Sequence, residues 1–377
     1  MNARTAGDPA MDVLWEAETA PIEWLQGLGD RLVGPMAVVT ELGSQTFIIA
    51  LLALIFWSVN SGLGARLFVL AVGTGALNHL LKGFVYGARP SWYSAQIAQH
   101  AAESSFGMPS GHAQGSTVLW GYLGVASGRR ALLWAAIGLI ALICLSRVYL
   151  GVHFISDIVV GVLLGVATLW AFLRWEGRVL AWWRRLDTVR WVAVAAAVSL
   201  TPCLIGAAWR YLARDGWEPP AEWIGATPLD PAGYTLAGLF GLSGALLGGL
   251  VGFTLLDRRG WYSAEGPLPA RAARFVLGIS VVVSVLVFTD LVFVSVTGPT
   301  EALLRFLTYV VVAFWASFGA PELFLRSGLA RRPFPPPGPG RTGRGPVRRR
   351  ARRMIPVTRT MRSCYRGVKI GVVSDIS

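Results

Sequence analysis

Long apolar runs separated by short polar or charged turns dominate the chain from residue 43 to residue 325. Nine can be drawn: 43–59, 63–83, 110–127, 130–147, 153–174, 190–209, 233–256, 273–297 and 302–325. Most approach or exceed the ~18–20 residues that carry a helix across ~30 Å of hydrocarbon. Inside a bilayer every backbone N–H and C=O needs an internal partner, which a helix supplies by itself. The pattern therefore predicts an all-α, polytopic membrane protein. The first, third and fourth runs are short, which predicts local thinning of the bilayer around them.

Residues 14 to 38 carry a different pattern. Leu14, Trp15, Ile22, Trp24, Leu25, Leu28, Leu32 and Val33 recur at roughly helical spacing between polar residues. This predicts one amphipathic helix lying at the interface, with tryptophans at headgroup depth. The segment is acid-rich and lacks an uninterrupted apolar core, so it does not read as a cleavable signal peptide.

Composition agrees with the pattern. The chain is 54% hydrophobic and only 15% charged, against ~25% charged for soluble domains. Its formal net charge is +13. Much of it follows Arg326, in a run that includes Arg341, Arg344, Arg348, Arg349, Arg350, Arg352 and Arg353. Beside so many spans, a cytoplasmic tail facing anionic headgroups accounts for this run better than nucleic acid does. The Pro, Gly and Arg composition from about 328 to 377 predicts a mostly disordered tail. Cys144, Cys203 and Cys364 show no metal-like spacing, and no disulfide is expected.

Arginine also orients the spans. One set of loops carries Arg66, Arg129, Arg130, Arg174, Arg178, Arg184, Arg185, Arg190, Arg258, Arg259, Arg271 and Arg274, and ends with the basic tail. The opposite set is poor in Arg and Lys apart from Arg4, Arg31, Arg210, Arg214 and one cluster. Positive residues stay inside, so the amino terminus is expected outside and the tail in the cytoplasm.

That cluster carries the candidate chemistry. It consists of Lys82 and Arg89 (K-x6-R-P), then Pro109-Ser110-Gly111-His112, then Ser146-Arg147 with His153 and Asp157 (S-R-x5-H-x3-D). The topology brings all of it to one outer depth, where ionisable groups are costly and usually functional. Three cations without enough nearby acids call for an anionic partner, and a phosphate offers several oxygens to charge-assisted hydrogen bonds. Pro109 and Ser110 suit a helix start, whose free N–H groups bind anions. Gly111 allows close backbone approach. His153 and Asp157, four apart, are expected on one helix face, with the carboxylate taking the Nδ1 proton and leaving Nε2 free to attack. By contrast, His79 reads as a packed histidine inside the second span, and His100 as a solvent-facing one. Trp92 and Tyr93 are expected to line the entrance or to anchor at the interface. Lys82 is the only lysine before Lys369 in an arginine-rich chain. That points either to a required compact ammonium or to drift.

These three segments resemble the signature of the type 2 phosphatidic acid phosphatase superfamily, over about residues 40–175. The resemblance implies that Lys82, Arg89, Ser110, Gly111 and Arg147 bind the phosphoryl group. It further implies His153 as nucleophile, Asp157 as its orienting partner and His112 as general acid, with no metal or other cofactor. The implied family core has six helices, so about four helices are additional here.

The expected organisation is an amino-terminal segment (1–40), a catalytic membrane core (41–175), an additional transmembrane region (176–327) and the tail (328–377). In the additional region Gly241, Gly244, Gly248, Gly249 and Gly252 predict close helix packing. Asp290 and Arg305 are its candidate buried charges, and the region reads as a scaffold or partner-binding part. The expected activity is hydrolysis of membrane lipid phosphate monoesters or polyprenyl diphosphates through a phosphohistidine, at the extracytoplasmic face of the plasma membrane. Two rivals stand: a phosphotransferase using the same histidine, and a lipid transporter or binding protein with a vestigial site.

Overall fold

The computed structural model describes residues 9–220, 223 and 230–333. All nine apolar runs fall on helices. α3 (Gln45–Leu54) continues through a π-helical turn to Val59, and α4 is Ser61–Val85. A short α5 (Pro90–Tyr93) precedes α6 (Gly111–Ala126), α7 (Arg130–Tyr149) and α8 (Ile155–Trp183). α9 (Thr188–Ala208), α10 (Pro231–Arg258), α11 (Leu268–Val292) and α12 (Gly298–Phe314) follow, and α12 runs on through Trp315–Gly319 into α13 (Ala320–Arg326). Among the described residues seven helices are long and apolar enough to cross a membrane; α3 and α6 are shorter. The fourth run, expected to be short, is a full 20-residue helix.

The amino-terminal segment departs from its expectation. It forms two helices, α1 (Pro9–Gln26) and α2 (Val33–Glu41), broken at Gly29, whose φ of 104° lies where a side chain is disfavoured. Its tryptophans divide. Trp24 is exposed, but Trp15 is buried and stacks on Phe154 with ring centroids 5.7 Å apart. Ile22 is buried as well. This face of α1 thus packs on the helices of the expected core (41–175) rather than facing lipid.

α6 lies between α7 and α8 because small residues permit it. Gly124 faces the α7 backbone at Leu133, while Gly161 and Gly165 of α8 face Ser110 and Thr117. The predicted glycine seam of α10 behaves likewise. A methyl group on Gly244 or Gly248 would fall on the carbonyl oxygens of Phe306 or Val310, and one on Gly252 would strike Ser317. α10 and α12 therefore meet backbone to backbone, as small residues allow. Gly249 takes the ring of Phe68, which locks α10 onto α4.

Other expectations change. Asp290 is exposed, and Arg305 pairs with Glu301 at 2.9 Å. The buried charges are Arg274 and Glu322; Arg274 donates to the carbonyls of Ser263 and Ala264, just before α11. Residues 328–333 are ordered: Ser263 bridges to Arg331, and Arg332 pairs with Glu322 at 2.8 Å. The rest of the tail, with its arginine run and Cys364, lies outside the described residues. Cys144 and Cys203 are free and buried.

Candidate active site

The three motifs converge where the carboxyl-terminal ends of α4 and α7 meet the amino-terminal ends of α6 and α8. Ser110 caps α6, its Oγ accepting from the Ala113 N–H at 3.4 Å. Its own N–H donates to the Asp157 carbonyl at 3.0 Å, which ties the second motif to the third. On α4, Asn78 donates to the carbonyl of Pro109 (3.2 Å) and to Gln114 Oε1 (2.8 Å), holding the first turn of α6 from the other side.

His153 and Asp157 meet by a different geometry from the one expected. His153 precedes α8 rather than lying on its face. Asp157 sits in the first turn, and its Oδ2 accepts both from the Phe154 N–H (3.0 Å) and from His153 Nδ1 (3.1 Å). One carboxylate oxygen thus caps the helix and orients the ring. The far nitrogen, Nε2, lies 3.3 Å from Arg89 Nη1. A guanidinium only donates, so Nε2 is the unprotonated nitrogen and the proton sits on Nδ1. His153 is 1% exposed.

Arg89 is fully buried and held on several sides. It donates to the carbonyls of Ser105 (2.7 Å), Val152 (2.8 Å) and Phe106 (3.1 Å), and its guanidinium lies 5.6 Å from the Trp92 ring. Lys82 is also buried and donates to Ser105 Oγ at 3.2 Å and to the Phe106 carbonyl. Arg147 donates to Thr40 Oγ1 at 2.9 Å, while among the described residues its Nε has no hydrogen-bond partner. His112 forms no hydrogen bond among the described residues; its ring lies against Gly43 and lines a cavity.

Sequence reasoning missed Glu103. The three cations do have an acid. Glu103 Oε2 lies 3.2 Å from Arg89 Nη2, and its Oε1 pairs with Arg147. Burial alone would raise this carboxyl. Arg89 and Arg147, with His112 and Lys82, outweigh that and hold it well below the usual carboxylate range. A carboxylate carries two acceptor oxygens where a phosphoryl group would offer three. Glu103 therefore occupies an anion position between two guanidiniums, near His112. No motif flagged it, because it stands alone in the loop between α5 and α6; only the surplus of cations hinted at such a group.

Other sequence assignments sort plainly. Trp92 is buried beneath Arg89, and Tyr93 packs edge-on against Trp15 and Phe154, so neither lines the cavity entrance. His79 Nδ1 lies 3.2 Å from the Thr235 carbonyl inside the protein. His100 is half-buried, its ring stacked 6.4 Å from Tyr149. Among the described residues no three His, Cys, Asp or Glu side chains gather as a metal-binding group.

Known families and proteins share parts of this chain. Residues 63–181 match the family described as PAP2 superfamily, and residues 240–332 match the PAP2 superfamily phosphatase, transmembrane extension. Phosphatidylglycerophosphatase B of Bacillus subtilis is 31% identical over 144 residues, covering 35% of this chain and 68% of that protein. Sphingosine-1-phosphate phosphatase 2 of Mus musculus is 30% identical over 129 residues, 33% of this chain but only 36% of that protein. Glucose-6-phosphatase catalytic subunit 1 of Canis lupus familiaris is 26% identical over 223 residues, 50% of this chain and 62% of that protein. A crystal structure of a transmembrane PAP2-type phosphatidylglycerolphosphate phosphatase from Bacillus subtilis aligns over 45% of this chain and 95% of its own, at 24% identity and a TM-score of 0.35.

Proposed function

Because this multi-pass membrane chain belongs to the PAP2 superfamily, we propose that it hydrolyses membrane lipid phosphates through a phosphohistidine on His153. The observation that carries this reading is the setting of His153, with Nδ1 3.1 Å from Asp157 Oδ2 and Nε2 3.3 Å from the donor Arg89 Nη1, and with His112 lining the same cavity.

In the proposed cycle the phosphoryl group displaces the Glu103 carboxylate from Arg89 and Arg147. Its oxygens are then met by those two guanidiniums, by Lys82 and by the N–H groups at the start of α6. These donors stabilise the equatorial charge of the transition state, and such preorganised electrostatics usually contribute most to phosphoryl transfer. Nε2 of His153 attacks phosphorus in line. The bond from phosphorus to the leaving oxygen breaks with its electron pair, and His112, entering protonated, donates a proton to that oxygen. Water then enters, and His112 takes a proton from it as the oxygen attacks phosphorus and the nitrogen–phosphorus bond breaks. Asp157 holds the Nδ1 proton throughout. Mono- and diphosphate substrates both suit this scheme, with the site on the extracytoplasmic face.

The test is phosphate release by the purified full chain from a panel of lipid monophosphates and diphosphates, without any acceptor added. His153→Ala should abolish release. His112→Ala should slow it by about 10²–10⁴-fold, the usual contribution of a general acid–base. Near-normal turnover in His153→Ala overturns the mechanism, and release that appears only when an acceptor is added favours a transferase.

A further inference from the structure

The cavity that begins at the histidines does not end there. It has a volume of about 460 Å³ and continues from His112, His153 and Lys82 into the body of the protein. That lies in the range of ligand-binding pockets, ~300–1,000 Å³. One wall belongs to the catalytic core, through α3 and α4. The other belongs to α10, α11 and α12, helices outside the segment that carries the motifs.

Its length can be read along the helices. On α4 the lining runs from Lys82 down to Gly64, 18 residues, or about 27 Å at ~1.5 Å per residue. On α10 it runs from Tyr234 to Phe253, 19 residues, or about 28 Å. One leaflet is half of the ~30 Å hydrocarbon core, so the chamber extends past the midplane.

Its chemistry changes with depth. Near the histidines the α4 lining is polar, with Thr74, Asn78 and His79. Deeper, residues such as Ala71, Val72, Leu242 and Ala245 make it apolar. A chamber polar at the phosphorus end and mostly apolar beyond it, with Arg305, Tyr309 and Ser317 as the polar exceptions, matches one amphiphile lying along it.

We propose that this chamber, built jointly by the core and the carboxyl-terminal helices, holds a single long hydrocarbon chain of the substrate, alkyl or prenyl. This rests on the phosphatase reading above. It also gives α10–α12 a role: they close the chamber and so set the chain that fits. A chain leaving the bilayer for the chamber exchanges one hydrocarbon surrounding for another. Selection therefore acts through shape and packing rather than through transfer from water.

The experiment uses the full chain in nanodiscs and compares kcat/KM for butyl and eicosyl phosphate, with geranylgeranyl phosphate to separate prenyl from alkyl chains. Ala245→Phe and Ala71→Phe put a ring into the chamber from opposite walls. Each should lower the long-to-short ratio by about tenfold, within the range that overpacking costs. Val276→Phe, an equal ring on the outward face of α11 (Val276 is 58% exposed), should leave the ratio at its wild-type value. Ratios that stay unchanged in both chamber variants overturn the proposal. Should either variant fail to fold, the unmutated protein decides, using eicosyl phosphonate with a terminal diazirine. Labelling of inward residues such as Leu242, Phe253 or Val312 supports the chamber, whereas labelling confined to outward residues such as Val276 and Leu277 overturns it. Hydrolysis of every chain length with outward labelling removes the chamber alone; hydrolysis of none removes the phosphatase reading itself.

Discussion

Glu103→Gln separates the two effects of a carboxylate lying in an anion site. Glu103 pairs with both Arg89 and Arg147 and offsets one of their two charges, and both guanidiniums are almost fully buried. A unit-charge pair ~4 Å apart is worth about 4 kcal/mol at an effective dielectric of ~20. Breaking a buried pair costs ~3–5 kcal/mol, since the surviving charge stays desolvated. Glu103 keeps 20% of its side chain exposed, so the lower end, about 3 kcal/mol of lost stability, is expected. For an incoming phosphate the sign reverses, because a competing anion has been removed. Recovery of only ~1.4–2.8 kcal/mol of the pair's energy tightens binding of inorganic phosphate or vanadate by about 10–100-fold.

The assays are thermal unfolding with and without phosphate, and the inhibition constant for vanadate against a soluble phosphate ester. The variant should melt lower when empty and gain more from phosphate than the native chain does. Weaker vanadate inhibition in Glu103→Gln would refute the reasoning, showing that the carboxylate helps to hold the guanidiniums for the ligand. The pH dependence has a definite sign. The carboxyl is depressed in the folded state. Its stabilisation is therefore complete above the ordinary glutamate value of ~4.3 and is lost as pH falls through the lower folded value. The stability gap between native chain and variant should be full at pH ~7, begin to narrow below pH ~4.3 and keep narrowing down to the lower folded value.

Asp157→Asn should reduce kcat by about 10²-fold or more, because the amide can donate to Nδ1 and so favour the wrong tautomer. It should also cost ~1 kcal/mol of stability through the weakened cap of α8, seen as a lower melting temperature. Hydrolysis should persist in EDTA, and a strict requirement for an added divalent ion would contradict the metal-free scheme. Gln96→Cys, at an exposed position in the loop after α5, should react with an impermeant thiol reagent on intact cells; labelling only after lysis would invert the topology.

The span pattern, the motif residues and the glycine seam of α10 were legible in the sequence because each depends on local periodicity or on residue type. A bilayer forces long apolar runs into helices whatever they pack against. A run of glycines on one helix invites a close neighbour without saying which. The sequence also supplied the histidine pair and its carboxylate. It misjudged how His153 and Asp157 meet, since i and i+4 spacing implies a shared face only inside a helix, and His153 stands just before one.

Three features were decided by tertiary structure alone. Trp15 and Ile22 turned inward because α7 and α8 present a surface that α1 can cover, and an amphipathic pattern does not distinguish lipid from protein. Glu103 reached the guanidiniums because the loop between α5 and α6 folds back over the site, a long-range placement with no local signature. The chamber exists only because α10 packs on both α4 and α12. A cavity belongs to the space between helices, and no single helix encodes it.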